Sequence, residues 1–173
     1  MEKFLNVPVY NLIINGTAVT PVGSADLTDT GNVFAGVSVG DIVHQSTDNQ
    51  YFLVASKIDS NNLTLTALDG GTTPIPAGKA FFIHSGTSFD NQLVSIVNVG
   101  LVEQLSKSTT TIAYDGPSAT DLITLVHTPV GTGSEAMRDQ VQEQMEEALI
   151  TSWTNVAPEA VFLNQKVIGI SIA

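Results

Sequence analysis

The sequence predicts an α+β fold, predominantly antiparallel β, in which one amphipathic helix covers a sheet and a small β-barrel module is inserted into that sheet domain. Three observations lead there. First, one stretch has helical periodicity: in residues 134–153 apolar side chains recur at Met137, Val141, Met145, Ala148 and Leu149, and Trp153 closes the series. Steps of three and four place them on one face of a 3.6-residue period. Second, only 13% of the residues are charged, about half of what a globular chain usually carries, and Thr, Ser, Asn, Gly and Val take their place. Third, the rest of the chain is a succession of short β-prone runs separated by turn residues. A lone amphipathic helix needs a sheet to lie on.

The elements follow in order. Phe4 to Ile14 reads as an opening strand, and Pro8 within it favours an edge or a bulge because it donates no ladder hydrogen bond. Asn15-Gly16 is a turn signal, with a short strand from Thr17 to Val22 after it. Polar, turn-rich residues 24–32 precede four short runs: Val37–His44, Tyr51–Ile58, Asn62–Leu68 and Ala80–His84. Thr47–Gln50, Asp59–Asn61 and Asp69–Gly71 separate them with turn chemistry. Leu63, Leu65 and Ala67 alternate with Thr64 and Thr66, as in a half-buried strand. Strands so short and so spaced predict a small antiparallel barrel of the SH3-like kind. A polar break over 86–91 is followed by the apolar run 92–104, read as two strand segments around Asn98 and Gly100. Thr109–Tyr114 and Asp121–Thr128 form a hairpin about the turn 115–118. Ser134 follows Gly131-Thr132-Gly133 as the N-cap of the helix, Thr154-Asn155 stops it, and Val161–Ile172 is a final strand.

These runs give a domain arrangement. The opening strand needs a sheet, whereas the barrel strands look self-contained. Residues 1–16 plus 87–173 therefore form a discontinuous host domain carrying the helix, and 17–86 form the inserted barrel. Chains tolerate insertion best at a turn such as Asn15-Gly16.

Charge and composition remove several classes of function. Net charge is −11, and the six cations (Lys3, Lys57, Lys79, Lys107, Arg138, Lys166) are scattered. No basic patch exists to neutralise phosphates, which argues against direct nucleic-acid binding and against an anionic membrane surface. The chain has no cysteine, hence no disulfide, thiolate metal site or Cys nucleophile. No apolar run approaches the roughly 18 residues of a membrane helix. The opening MEKFLNVPVY lacks a signal-peptide core, so synthesis in a cytoplasm is expected. Low charge suits a surface covered by partners in an assembly, because interface cores are depleted in charge; a neutral-surfaced monomer is the alternative.

Chemistry-bearing motifs are sparse. His44, His84 and His127 lie in separate segments with no second ligand at i+2 or i+4. Gly131–Ser134 before a helix invites a phosphate-loop reading, but the P-loop lysine and its spacing are missing and Glu135 sits where the anion would. Asp59–Asn62 and Asp115 are calcium-compatible loop residues without the EF-hand register. Glu143, Glu146 and Glu147 decorate the polar face of the helix as a solvated or partner-facing surface. No residue is assigned a catalytic, cofactor-binding or metal-ligating role, and no enzyme activity is expected. Trp153, the single tryptophan, either anchors the helix in the core or acts as an intersubunit hot spot.

Two stretches resemble known proteins. Phe34 to Val43, with its Gly-Val-Ser-Val-Gly-Asp-Ile-Val, followed by Leu53 to Leu65, resembles small β-modules in structural proteins of tailed bacteriophages. Gln92–Ile96, Val102–Gln104, Thr109–Ile112, Met137–Asp139 and Thr151–Val156 resemble virion proteins of marine phages and cyanophages. The resemblance implies a non-enzymatic virion protein of the capsid decoration, or cement, type. Such a protein would be made in the host cytoplasm, sit on the capsid surface as a homo-oligomer (a trimer is favoured), and bind major capsid protein or other virion proteins. Alternatives are a head–tail connector, tail-tube or baseplate component and, from another class, a carbohydrate- or receptor-binding module. The latter usually needs exposed aromatics, and only 6% of the residues are aromatic.

Overall fold

The structure, a computed structural model, describes residues 3–115, 121–150 and 163–173. Half of the residues lie in strands, mostly antiparallel, and the described residues hold one α-helix. The chain divides into two compact units, Met1–Val9 with Phe89–Ala173, and Tyr10–Ser88. Against the expected limits at 16/17 and 86/87, the division falls inside two long strands, β1 (Phe4–Thr17) and β6 (Ala80–Ser95), which contribute to both units.

In the unit Tyr10–Ser88 the strands are β2 (Leu27–Thr28), β3 (Ile42–Gln45), β4 (Gln50–Lys57) and β5 (Asn62–Ala67) with part of β6, in the order β2-β5-β4-β3-β6. All the pairings are antiparallel. Alternation decides which side chains turn inward. Val43, Phe52, Val54, Leu63, Leu65, Phe81 and Ile83 share one face and bury against Leu27, Phe34 and Ile75. Beyond the strands, the Ala18 amide donates to Lys79 O (2.9 Å), the Gly78 amide to Ala18 O (2.7 Å) and the Val19 amide to Thr28 O (2.9 Å). The tight turn between β3 and β4 places Asn49 at φ 51°, a left-handed conformation that Asn tolerates better than most residues.

In the other unit β7 (Val99–Ser106), β8 (Thr109–Tyr114), β9 (Leu122–His127) and β10 (Val167–Ile172) follow β1 in the order β1-β10-β9-β8-β7. The β10-β9-β8-β7 pairings are antiparallel, and β1 meets β10 in parallel, with Val9 opposite Val167. The helix α1 (Ala136–Ile150) packs against β7. Met137, Val141, Met145 and Ala148 bury beside Leu5, Val7, Val94, Ile96, Val102, Ile112, Ile123, Leu125 and Val167.

Four expectations need correction. Asn15-Gly16 is no turn: both residues lie in β1, where a Cβ on Gly16 would stand 2.7 Å from the Phe81 ring, so this glycine serves close packing rather than chain reversal. No break separates 80–84 from 92 onward, because β6 runs unbroken from Ala80 to Ser95. The polar residues Thr87, Ser88, Asp90, Asn91 and Gln92 are exposed strand positions; their polarity reports solvent, not a loop. Pro8 is buried inside β1, immediately before the registered pair with β10. Finally, Leu149 does not join the buried helix face, being 58% exposed.

Candidate interaction surface

The candidate surface is built by α1 and the strands beneath it. Register sets the rows of the sheet. Val102, Ile112, Ile123 and Ile172 stand opposite one another across β7 to β10, and the first three belong to the core under the helix. The next residue along each strand points the other way, giving the rows Leu101–Ala113–Leu122 and Glu103–Thr111–Thr124–Ser171. Glu103 is the single charge in those two rows.

Both ends of α1 are tied to the sheet domain. At its start the Ser134 hydroxyl accepts from the Ala136 amide (3.2 Å), as expected of an N-cap. Gln104 on β7 bridges to the same turn, its Nε2 donating to Ser134 O (2.7 Å) and its Oε1 accepting from the Arg138 amide (3.3 Å). Arg138 in turn pairs with Glu135 and Asp139. At the other end the last turn has no basic residue of its own. Lys3 supplies one from outside the helix: its Nζ donates to Ala148 O (2.6 Å) and Leu149 O (2.9 Å), two carbonyls of the last described turn.

Between the C-terminal half of α1 and the start of β7 lies a cleft of about 340 Å³. Ile96, Val99, Leu101, Val102, Met145 and Leu149 give it an apolar lining, and Gln142 and Glu146 are its polar wall. Leu101 and Leu149 are each more than half exposed. Glu143 lies one helical turn before Glu146, and Glu103 lies two residues beyond Leu101 on β7. None of Glu103, Glu143 and Glu146 has an ion-pair partner among the described residues. β7 ends the strand order, so among the described residues one side of this strand has no neighbour in the sheet.

The residues singled out in the sequence fall as follows. Trp153 lies outside the described residues, as do the helix stop at 154–155 and residues 161–162 of the expected last strand. His44 and His84 come onto one face: the β3–β6 register sets His44 opposite Phe82 and His84 opposite Ile42. His44 stacks on Tyr51 with ring centroids 4.5 Å apart and bonds through Nε2 to Asn49 Oδ1 (3.1 Å). His84 Nδ1 donates to Tyr10 O (3.1 Å). His127, buried at the end of β9, donates from Nδ1 to Thr128 O (2.8 Å), which leaves Nε2 of the neutral ring to accept from the Thr110 hydroxyl (3.0 Å). Burial holds all three imidazoles below their usual pKa, partly opposed by these hydrogen bonds; for His84 the charge of His44 lowers it further. No group of three or more His, Asp or Glu side chains suited to a metal occurs among the described residues.

The Gly131–Ser134 loop borders a space of about 240 Å³ with Gln104, Ser106 and Lys107. Two of the amides an anion would use are engaged, Ala136 by Ser134 and Arg138 by Gln104. The Asp59 carboxylate accepts from the Asn61 amide (2.7 Å) and the Asn62 side chain (3.0 Å), which lower its pKa below the ordinary value and close the turn on itself. Asp115 lies against Gly100, where a Cβ would come within 2.2 Å of its carboxylate. Sequence reading missed the cleft that Leu101 and Leu149 both line, and the Lys3 cap. A helix with no cation in its last turn was the available signal for the cap.

A comparison with protein-family models, with curated proteins and with solved structures finds no match to this chain.

Proposed function

We propose that this chain is a non-enzymatic structural protein of a tailed-phage virion, of the capsid decoration type, acting by binding alone. The observation that carries the reading is a sheet face with almost no charge in a chain of net charge −11. The rows Leu101–Ala113–Leu122 and Glu103–Thr111–Thr124–Ser171 contain one carboxylate; Leu101, Glu103 and Ser171 are exposed, Ala113, Leu122 and Thr124 half-buried, and Thr111 buried. Depletion of charge at the centre of a patch, with charge kept elsewhere, is the composition of an interface core. Its partners in this reading are major capsid subunits, and the protein sits on the capsid surface as a homo-oligomer, a trimer. Binding across several subunits stabilises a shell by mass action, since only the assembled lattice presents the complete site. The phage resemblance of the stretches 34–43 and 53–65, and of the short stretches between 92 and 156 named above, supports the same reading.

We also propose that the unit Tyr10–Ser88 closes as a small SH3-like barrel. The bonds of Ala18 to Lys79 and of Val19 to Thr28 support closure, because they link the segment after β1 to both ends of the order β2-β5-β4-β3-β6. In hydrogen exchange, a closed barrel protects the Ala18 and Val19 amides as strongly as those of β4; exchange at coil rates refutes it.

Copy number tests the function. Stoichiometric mass spectrometry of intact particles carrying this chain is expected to find hundreds of copies. Six, twelve or fifteen copies would replace decoration by a connector, tail or baseplate role, and absence from the particle would remove the virion reading.

A further inference from the structure

The cleft between β7 and α1 has a composition that selects its occupant, and it does so whichever assembly the chain serves. We propose that β7 docks an extended segment of a partner protein, with one apolar side chain of that segment in the cleft and Lys or Arg residues beside it. Three features converge. The cleft is about 340 Å³ and lined by Ile96, Val99, Leu101, Val102, Met145 and Leu149, room for one or two large apolar side chains. It opens beside the last strand of the order, whose outer edge is unpaired among the described residues, and an unpaired strand edge is a template for another strand. Its surroundings are acidic: Glu146 in the wall, Glu143 one turn back and Glu103 on β7, none of them ion-paired among the described residues.

Lys3 is the cation at this end of the helix, and its ammonium is bonded to the Ala148 and Leu149 carbonyls. With Lys3 so engaged, these carboxylates are open to the basic residues of a ligand. A second copy supplies such residues poorly: the chain has seventeen acidic and six basic residues, and antiparallel pairing of two β7 strands about their middle sets Glu103 near its own copy. A segment alternating apolar and basic residues meets all the requirements, since alternate side chains of an added strand point to opposite faces.

The test uses the full chain and a fluorescein-labelled nonapeptide alternating leucine and lysine, with a leucine–glutamate peptide as control. Anisotropy is expected to show saturable binding of the lysine peptide, weakened by salt, and none of the glutamate peptide. Leu101→Asp and Glu146→Lys, both surface changes whose folding is checked by circular dichroism, should each weaken binding at least ten-fold, and Asp90→Lys, exposed on β6, less than two-fold. Binding unaffected by Leu101→Asp, or weakened as much by Asp90→Lys as by Glu146→Lys, overturns the proposal as mere charge attraction. Leu101→Cys introduces the single thiol of the chain. It should react with a maleimide at nearly the rate of a free thiol, and the lysine peptide should slow it. Protection at every protein concentration without peptide means that the chain covers its own cleft; protection that grows with concentration together with dimers in light scattering means a second copy. Either result overturns the assignment.

Discussion

Replacing Lys3 by Met removes a charge from the C-terminal end of α1 while keeping most of the aliphatic stem, and its effect follows from the geometry. The ammonium donates to Ala148 O at 2.6 Å and to Leu149 O at 2.9 Å, the first part-buried and the second exposed. Hydrogen bonds from charged groups are worth about 1.5–3 kcal/mol when shielded from water. A cation at an exposed helix C-terminus contributes about 0.3–1 kcal/mol. A site of intermediate exposure, with one bond of each kind, gives about 1–2 kcal/mol. Glu143, Glu146 and Glu147 in the last two turns push toward the upper end, because they oppose the dipole that Lys3 offsets. For a chain of this size about 1–2 kcal/mol corresponds to a fall in Tm of roughly 2–8 °C. Differential scanning calorimetry of wild type, Lys3→Met and Lys3→Arg measures it, at low and high salt. The arginine variant should recover most of the loss, and high salt should narrow the gap between wild type and Lys3→Met. An unchanged Tm for Lys3→Met, or an equal loss in Lys3→Arg, would refute the capping account.

Three further outcomes are expected. Gly86→Val should destabilise the Tyr10–Ser88 unit by about 1–3 kcal/mol in urea unfolding, since a Cβ there would lie 2.3 Å from Gly40 O, a backbone atom that cannot rotate away. Gln104→Ala should cost about 1–2 kcal/mol by the same measurement, because it frees the Arg138 amide and Ser134 O at once. Acidification should lower stability from about pH 6.5 downward: burial depresses His44, His84 and His127 below the usual 6.5, so the unfolded chain takes up protons first. Above that pH these groups contribute no slope, and His127→Gln should flatten the fall; a Tm that rises between pH 7 and pH 5 would contradict the burial of these rings.

What could be read in the sequence was what depends on neighbours along the chain. The helix was legible because Met137, Val141, Met145 and Ala148 repeat its period, and their burial depends only on which face is apolar. The pairing of β8 with β9 was legible from two β-prone runs flanking turn residues, of which 116–118 lie outside the described residues. Gly16 was misread because one residue type serves two purposes, chain reversal and close approach, and the choice was made by Phe81, which lies 65 positions away. The 86–91 stretch was misread because strand polarity and loop polarity are alike in composition; a long strand whose middle is exposed carries Thr, Ser, Asp and Asn as a loop does.

The same distinction explains why the candidate surface was only half legible. The acidic residues of α1 were visible, yet acidity alone describes most exposed helices. What gives Glu146 a meaning is Leu101, brought beside it from β7 by register. Val102 faces the helix core because Ile112 and Ile123 line up with it, and Leu101, one residue earlier on a strand of period two, is then turned out to solvent. A one-residue slip in β7 would bury Leu101, expose Val102 and move Glu103 toward the core under α1, where an unpaired carboxylate is costly. The register that keeps that charge in water is therefore the one that places an apolar side chain next to an acidic helix, on a strand whose outer edge is unpaired among the described residues.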